Sequence, residues 1–330
     1  MSYAYASGKI RALEPMILDS VDIERMVDAP DFETAFKVFN DTDYADNLLT
    51  VQPLEYREAL REDFRQLYNL LKSITPDKEL FQLMYIERDF LNLRYLLKVK
   101  HFGLDVGGKE YLNTDVVYPN GQLKEYVLND KDEGLEKNFK KTIDAIQKEL
   151  PKENVEPSAI DTIVTKYCFD YQLKLAQKTG SKLISDLVKI QIDNANLITW
   201  LRGKRLKIGA DKIREKFFTG GNVAINDLLR IYDDEAKSLR SVIHRYYDKN
   251  LLEAFDQYCE NNFLFGLEKA FEDFVTTHIQ KAKRISYGPE VVIAYYWAKK
   301  IAVRNAILIM TGKFNKVPGE DIKKTLRKIY

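Results

Sequence analysis

A threefold internal repeat constrains the possible folds of this chain more than any other feature. Each copy has an asparagine sixteen residues after its start and a lysine eight residues after that asparagine. The starts are Pro76, Gly180 and Pro289, the asparagines are Asn92, Asn196 and Asn305, and the lysines are Lys100, Lys204 and Lys313. The interval from one copy to the next is about one third of the length of the 330-residue chain. This period exceeds the roughly 20 to 50 residues of a solenoid unit, so each copy is expected to be a small helical domain.

The hydrophobic periodicity predicts an all-α protein. Apolar residues recur at intervals of three and four along most of the chain, while glycine and proline fall mainly between such segments. In the first copy, Leu83, Ile86 and Phe90 begin one such stripe. We predict that this helix starts at Thr75-Pro76-Asp77, with Thr75 as its cap, and stops at Gly103.

The repeat predicts three similar domains packed around an axis. Their expected bounds are residues 1–115, 116–220 and 221–330, with the N-terminal helices able to pack against the third repeat. A short helical pattern follows each copy, and those at Gly221–Tyr232 and Gly319–Tyr330 are the most alike.

The three asparagines Asn92, Asn196 and Asn305 have two possible roles. Helix interiors do not favour asparagine, and a buried amide needs hydrogen-bond partners. We therefore interpret them as architectural residues, and a ligand contact is the alternative.

The sequence offers no enzyme signature. Residues 103–109 (GLDVGGK) come near a phosphate-binding loop, but Glu110 replaces the hydroxyl that would hold magnesium and a helix precedes the motif. The three histidines and two cysteines have no metal-ligand or nucleophile spacing. We predict no catalytic, cofactor-binding, nucleotide-binding or metal-binding residue. An enzyme that uses scattered carboxylates stays as a third possibility.

Charge is balanced overall and uneven along the chain. The 51 basic and 50 acidic side chains create no global positive field, which argues against nucleic-acid binding. Ten acids and two basic residues lie in Glu14–Asp46, whereas six basic residues and two acids lie in Lys313–Tyr330. These ends either attract each other within the fold or form docking surfaces. For an acidic partner, the candidate docking residues are Lys323, Lys324 and Arg327.

The sequence also predicts a protein that stays on the cytoplasmic side of the membrane. Its N-terminus has no charged region followed by an apolar run. The most apolar stretch, Val291–Met310, contains Lys299, Lys300 and Arg304 near its middle, so it is predicted to be a soluble helix.

Four segments carry a resemblance to a known family. They are Tyr3–Glu14 (YAYASGKIRALE), Glu24–Asp46 (ERMVDAPDFETAFKVFNDTDYAD), Val188–Arg205 (VKIQIDNANLITWLRGKR) and Gly288–Lys313 (GPEVVIAYYWAKKIAVRNAILIMTGK). These motifs resemble the C subunit of archaeal- and bacterial-type V/A-ATPases, which is related to the d subunit of eukaryotic V-ATPases. The resemblance covers nearly the whole chain and is weakest over Val106–Glu156.

The resemblance implies a funnel-shaped body of three helical domains around a pseudo-threefold axis with a central opening. It further implies a non-catalytic rotor part that lies on the cytoplasmic face of the membrane proteolipid ring and receives the end of the central shaft. Such a rotor part would transmit torque in a proton- or sodium-translocating ATPase and bind no nucleotide. The alternative is a helical protein-interaction scaffold unconnected with ion transport.

Overall fold

The computed structural model describes residues 2–42, 44, 52–104, 112–151 and 153–330. Over these residues the chain forms helices and no strands, which confirms the all-α prediction. The chain divides into two compact units. Unit 1 comprises Met1–Asp77 and Glu235–Tyr330, and unit 2 comprises Lys78–Asp234.

Unit 2 is built around three long helices. Its α-helices are α5 (Lys78–Phe102), α6 (Asn120–Asn129), α7 (Lys137–Glu149), α8 (Pro157–Lys178), α9 (Lys182–Arg205), α10 (Ala210–Arg214) and α11 (Ile225–Arg230). Helix α8 contacts both α5 and α9. The ring of Phe90 lies 5.5 Å from Phe139 and 5.8 Å from Tyr171, so aromatic contacts join α5, α7 and α8 in the core.

The long helices α5 and α9 run in the same direction. Near the end of α5, Lys98 Nζ lies 2.6 Å from Asp161 at the start of α8, while Glu79 at the start of α5 pairs with Lys178 at the end of α8. Helix α5 is therefore antiparallel to α8. Helix α9 contacts α8 and follows it after a three-residue connection, so it is antiparallel to α8 as well. The carboxyl ends of α5 and α9 thus lie at the same end of unit 2.

Unit 1 combines the N-terminal and C-terminal parts of the chain. Its N-terminal helices are α1 (Tyr3–Leu13), α2 (Ser20–Asp28), α3 (Phe32–Lys37) and α4 (Tyr56–Ile74), with 3-10 helices at Glu14–Met16, Val38–Asp41 and Pro53–Glu55. Its C-terminal helices are α12 (Arg240–Tyr246), α13 (Lys249–Asn261), α14 (Leu264–Ile279), α15 (Pro289–Phe314) and α16 (Gly319–Thr325), with 3-10 helices at Ala236–Leu239 and Gln280–Arg284.

Helix α15 is the centre of unit 1. It contacts α1, α2, α3, α4, α14 and α16. All residues from Val291 to Ala298 are buried, because a helix that is apolar on every side must be surrounded by other elements. In the described residues, no helix combines the length and apolar character that a membrane crossing requires.

The predicted limits of the first repeat helix are half right. The helix ends at Phe102, and Gly103 follows with a left-handed φ of 58°, which confirms the predicted stop. The start is two residues later than predicted, at Lys78. Thr75 does not cap α5, because its Oγ1 atom forms no hydrogen bond with a described residue, while its N–H donates to Leu71 O at 2.9 Å and closes helix α4.

Candidate functional site

Each repeat asparagine holds a segment of chain that returns to its helix. The Nδ2 group of Asn92 donates to Asn113 O at 3.0 Å, and Asn113 N donates to Asn92 Oδ1 at 2.8 Å. The amide therefore pairs with both backbone groups of one residue, as an adjacent β-strand would. Asn92 is buried, so these bonds satisfy an amide that water cannot reach.

The other two asparagines form the same pair of bonds. Asn196 pairs with the backbone of Phe218, at 2.8 Å for both bonds, and Asn305 pairs with that of Arg327, at 2.9 Å for both. The separations are 21, 22 and 22 residues in the three copies. The structure therefore gives all three asparagines an architectural contact of one geometry, two of them in unit 2 and one in unit 1.

An aspartate three residues before the asparagine adds a second attachment in two copies. Asp89 accepts the N–H groups of Val117 and Tyr118 at 2.8 and 2.9 Å. Asp193 accepts those of Asn222 and Val223 at 3.0 and 2.9 Å. A Cβ at Gly221 would lie 2.1 Å from Asp193 Oδ1, so this close approach requires glycine.

This pair of aspartates was not predicted from the sequence. The signal was present, because an aspartate precedes the asparagine by three residues at both 89–92 and 193–196. In the third copy Ala302 occupies the equivalent position. The aspartate attachment is therefore a feature of unit 2.

Burial changes the acid–base behaviour of Asp89. It raises the pKa of this carboxyl to about 7, and the N–H groups of Val117 and Tyr118 oppose the shift. A raised carboxyl pKa is also seen in catalytic acids. Here, however, the two oxygens accept backbone N–H groups, which assigns Asp89 to the framework of unit 2.

The repeat lysines attach a short helix to each long helix. Lys100 Nζ lies 3.0 Å from the carboxylate of Asp130, the C-cap of α6, and Lys204 Nζ donates to Tyr232 O at 2.8 Å, just after α11. Lys313 donates to Ala29 O, the C-cap of α2. An ammonium group at a helix C-terminus is favoured because it opposes the negative end of the helix dipole.

The third copy thus obtains its short helix from the other end of the chain. Helices α6 and α11 follow their long helices in sequence, whereas α2 precedes α15 by more than 200 residues. The lysine contacts place α2 at the position in the third copy that α6 and α11 occupy in the first and second. This contact joins the N-terminal helices to the third repeat within unit 1.

The long helices also end alike. The residue eleven positions after each asparagine has a left-handed φ, of 58° at Gly103, 54° at Lys207 and 56° at Lys316. A short helix follows in the second and third copies, and its isoleucine packs on a glycine of the long helix. A Cβ at Gly203 would lie 2.5 Å from Ile213 Cδ1, and one at Gly312 would lie 2.7 Å from Ile322 Cδ1.

This correspondence corrects the predicted matching of the short helices. The sequence pattern matches Gly319–Tyr330 to Gly221–Tyr232, but helix α16 begins fourteen residues after its asparagine, as α10 does. The structural equivalent of α16 is therefore α10 and not α11. Short amphipathic helices resemble one another, so sequence similarity alone does not identify the structural equivalent.

The three candidate docking residues lie in different environments. Lys323 is exposed and pairs with Asp28 at 3.1 Å, and Lys324 is exposed and pairs with Asp321 at 2.8 Å. Arg327 is 4% exposed. Because the side chain of Arg327 lies inside unit 1, only Lys323 and Lys324 stay as docking candidates.

The contacts of Arg327 explain its burial. Its Nε group donates to Glu272 at 2.6 Å, its Nη1 group donates to Thr325 O at 2.6 Å, and its Cζ lies 4.7 Å from the ring centre of Phe265. Nothing in the order of residues indicated these partners, which come from α14 and the segment around Thr325.

The opposite charges of the two chain ends meet within unit 1. The pair between Lys323 and Asp28 joins the basic tail to the acidic N-terminal stretch, as does the bond from Lys313 to Ala29. Asp43 and Asp46 of that stretch lie outside the described residues. Internal attraction thus accounts for part of the charge pattern.

A buried ion pair joins α4 to α15. Lys299 Nζ lies 3.1 Å from Asp63 Oδ1 and 4.2 Å from the ring centre of Tyr44, and both charged side chains are almost fully buried. The two residues are 236 positions apart, so no local pattern could have paired them. A pair this buried is costly to break, because either charge alone would be poorly solvated.

The metal-binding and phosphate-binding patterns considered in the sequence can be compared with the described residues only in part. Among the described residues, no group of three or more histidine, cysteine, aspartate or glutamate side chains could hold a metal ion. Most of the near phosphate loop, residues 105–109, and Glu110 lie outside the described part of the chain. Cys168 is buried and Cys259 is exposed, and both are free thiols.

Comparison with known proteins supplies the class to which these repeated helices belong. The family model of the ATP synthase (C/AC39) subunit matches residues 6–325, nearly the whole chain. The chain therefore belongs to the ATP synthase (C/AC39) subunit family, and the resemblance found in the sequence is confirmed.

Relatives with assigned names agree with this family. The chain is 22% identical to the C subunit of the V-type sodium ATPase of Enterococcus hirae over 331 residues, which covers 100% of this chain and 99% of the relative. It is 23% identical to the C subunit of the A-type ATP synthase of Thermococcus kodakarensis over 289 residues, 78% of each chain. It is also 22% identical to the C subunit of the A-type ATP synthase of Desulfurococcus sp., over 98% of this chain and 90% of the relative.

Proposed function

We propose that this protein is a non-catalytic central-stalk subunit of a proton- or sodium-translocating V/A-type ATPase. In this role it couples the rotor shaft to the proteolipid ring and transmits torque between them. It lies on the cytoplasmic face of the membrane as a peripheral member of the complex. The observation that carries the proposal is the family match over residues 6–325, together with relatives named as the C subunits of such ATPases.

The repeated architecture supports a mechanical role. A protein that couples two rotating parts must not yield under load, and densely packed interiors transmit strain. Each long helix holds its returning segment through a buried asparagine, and the repeat lysines attach a short helix at its end. The attachments of Asn196 and Asn305 are hydrogen bonds between buried groups, which are expensive to break without replacement.

The three-domain organisation is part of this proposal. We propose the domains at residues 1–115, 116–220 and 221–330, with the N-terminal helices completing the third repeat. The short helices α6 and α11 lie just beyond the first two of these bounds, although the lysine contacts attach them to the preceding copies. Three such domains around a pseudo-threefold axis would form a funnel whose central opening receives the shaft. The contact of α2 with Lys313 supports the part of this proposal in which the N-terminal helices complete the third repeat.

A binding experiment separates the proposal from a general scaffold. The purified chain is titrated with the isolated shaft subunit and, separately, with the detergent-solubilised ring, and the mass of each complex is measured. The proposal expects defined complexes with both partners, whereas a scaffold unconnected with ion transport binds neither. A stable complex of this kind would bury on the order of 1,200 to 2,000 Å².

The same assay tests the basic tail. Replacing Lys323 and Lys324 by glutamate should weaken complex formation at low salt by roughly threefold to tenfold, because exposed charges act mainly on encounter and are screened by ions. Circular dichroism checks that the fold is intact. Undiminished recovery of both complexes at low salt would remove the tail from the docking surface.

A further inference from the structure

The turn that joins α9 to α10 is unusually basic. Residues 202–216, called the basic turn below, contain seven basic residues and two acids. The equivalent windows of the other copies contain four basic residues and two acids at 311–325, and three basic residues and two acids at 98–112. The excess of positive charge is therefore a property of the second copy and not of the repeat.

Most of this charge is not compensated by the residues that the structure describes. Lys204 Nζ donates to Tyr232 O and makes cation–π contacts with the rings of Trp200 and Tyr232. Four other basic residues are exposed and form no ion pair with any described residue. They are Arg205, Lys207, Lys212 and Arg214.

In the third copy, three of the four basic residues of the equivalent window have partners within the chain, and Lys316, the counterpart of Lys207, is exposed without an ion pair to a described residue. There Lys313 donates to Ala29 O, Lys323 pairs with Asp28 and Lys324 pairs with Asp321. Four uncompensated like charges in one turn repel one another, and an acidic surface outside the chain would relieve that repulsion. The charge pattern of the basic turn is thus complementary to an acidic partner.

An exposed apolar residue lies in the middle of this charge. Leu206 is 71% exposed, between Arg205 and Lys207 at the end of α9. Ile213 of the same turn is by contrast fully buried. An apolar side chain within a rim of charges is the usual composition of a protein-docking contact.

We propose that the basic turn, with Leu206 at its centre, docks an acidic and partly apolar protein segment of another subunit in the rotary complex. This inference rests on the proposed function and names a surface through which the protein would bind its partner in the complex. Nearby carboxylates favour a protein partner over a flat anionic membrane. Asp233 and Asp234 are exposed and directly follow Tyr232, which Lys204 contacts, so a planar negative surface would be repelled where a narrow segment would not.

The test uses the full chain with three substitutions that reverse the charge of the turn, R205E, K207E and R214E. The matched control carries the same change of charge at exposed lysines elsewhere, as K182E, K237E and K249E. Binding to the solubilised ring and to the purified shaft subunit is measured at about 50 mM and about 300 mM salt.

We expect the reversed turn to raise the Kd for one of the two partners at least about tenfold at low salt, with a smaller difference at high salt. The control should stay within about twofold of the original protein. The single substitution L206S should weaken the same complex by roughly threefold at both salt concentrations, since an apolar contact is not screened.

Four outcomes overturn the inference. If the reversed turn binds both partners normally, the inference fails while the proposed function stands, and if the original chain binds neither partner, both fail. An equal loss in the control assigns the effect to net charge. The turn is a lipid-binding surface if the original chain binds vesicles of phosphatidylcholine and phosphatidylglycerol in a charge-dependent way and the reversed turn still binds both protein partners normally.

A milder variant keeps the test open if the reversed turn does not fold. R205Q, K207Q and R214Q remove charge without introducing repulsion. They should raise the Kd for the same partner by roughly threefold at low salt, and an unchanged Kd overturns the inference.

Discussion

At the residue scale, the repeat depends on one amide in each copy. An asparagine inside a helix is a poor choice for local stability, because its side chain competes for backbone hydrogen bonds. In this protein the cost is offset by two bonds to a residue that the helix must hold in place. The asparagines therefore specify where the returning chain docks.

Replacing Asn196 by leucine tests this role. Leucine leaves the buried N–H and C=O groups of Phe218 without their partners, so we expect unfolding to become easier by about 2 to 4 kcal/mol. Chemical denaturation followed by circular dichroism measures the loss. The exposed Asn250, replaced in the same way, should change stability by less than about 0.5 kcal/mol. An unchanged melting temperature for the Asn196 variant would contradict the architectural interpretation.

The titration of Asp89 makes a second prediction at this scale. Its pKa in the folded protein, about 7, is above the value of about 4 in an unfolded chain. Between these values the folded state retains a proton that the unfolded state has lost, so the contribution of Asp89 to stability falls as the pH rises from about 4 to about 7.

Replacing Asp89 by asparagine should remove this pH dependence. The stability of the original protein relative to the variant is expected to decrease by on the order of 2 to 4 kcal/mol between about pH 4 and about pH 7. Urea denaturation at several pH values measures it. Asp31 is the comparison, because hydrogen bonding with Thr34 lowers its pKa, so its contribution to stability should instead fall as the pH drops below about 4 and stay constant between about pH 4 and about pH 7. The prediction is refuted if the free energy of unfolding changes with pH in the same way in the original protein and in the Asp89 variant.

At the scale of elements, each long helix acts as a platform for the segments that follow it. The turn after α15 brings Ile322 of α16 against Gly312, and the turn after α9 brings Ile213 of α10 against Gly203. Close approach of two helices at a glycine leaves no room for a methyl group. The glycines thus set the angle at which the short helix returns.

Replacing Gly312 by alanine should disturb this contact. The new methyl group would lie 2.7 Å from two atoms of Ile322, and we expect a destabilisation of about 1 to 3 kcal/mol. Adding Ile322→Val removes one of those atoms and should restore part of the loss. Gly8 lies in helix α1 with no atom within 4 Å of its missing Cβ, so alanine there should be stabilising by about 0.5 to 1 kcal/mol. Thermal unfolding of the four proteins compares them, and equal effects at Gly312 and Gly8 would exclude the steric explanation.

At the scale of the whole molecule, both ends of the chain contribute to one core. A single hydrophobic cluster in unit 1 includes buried residues from both Leu18–Leu60 and Ala302–Ile322. The buried pair of Asp63 and Lys299 links the N-terminal and C-terminal parts of the same unit. Unit 1 therefore cannot form until the C-terminal residues are available, which gives it a high contact order.

Replacing Lys299 by methionine tests how strongly this pair joins the two parts. The substitution removes the cation that compensates the buried carboxylate of Asp63, and we expect a loss of about 3 to 5 kcal/mol. Adding Asp63→Asn removes the remaining charge and should restore more than half of the stability. Denaturant titrations of the single and double variants give the coupling energy. A double variant that is no more stable than the single one would show that charge compensation is not the cause.

Much of the architecture was predictable because its signals are local or periodic. The spacing of apolar residues predicted helices, the left-handed Gly103 marked a helix end, and the copies at Asn92, Asn196 and Asn305 predicted a threefold repeat. The start of α5 was misplaced because Thr75 ends the preceding helix through its N–H and its Oγ1 caps no N–H group of α5. Local rules cannot tell which of two neighbouring helices will use a residue placed between them.

The sequence by itself determined the helical class, the repeated asparagines and the family, since each follows from residues in a fixed order along the chain. Only the tertiary structure decided that Arg327 is buried against Glu272 and that α2 completes the third copy through Lys313. It also decided that four basic residues of the basic turn form no ion pair with a described residue. The physical reason is that ion pairs and buried hydrogen bonds depend on distance in space. Residues such as Asp63 and Lys299 become neighbours only after the helices between them have packed.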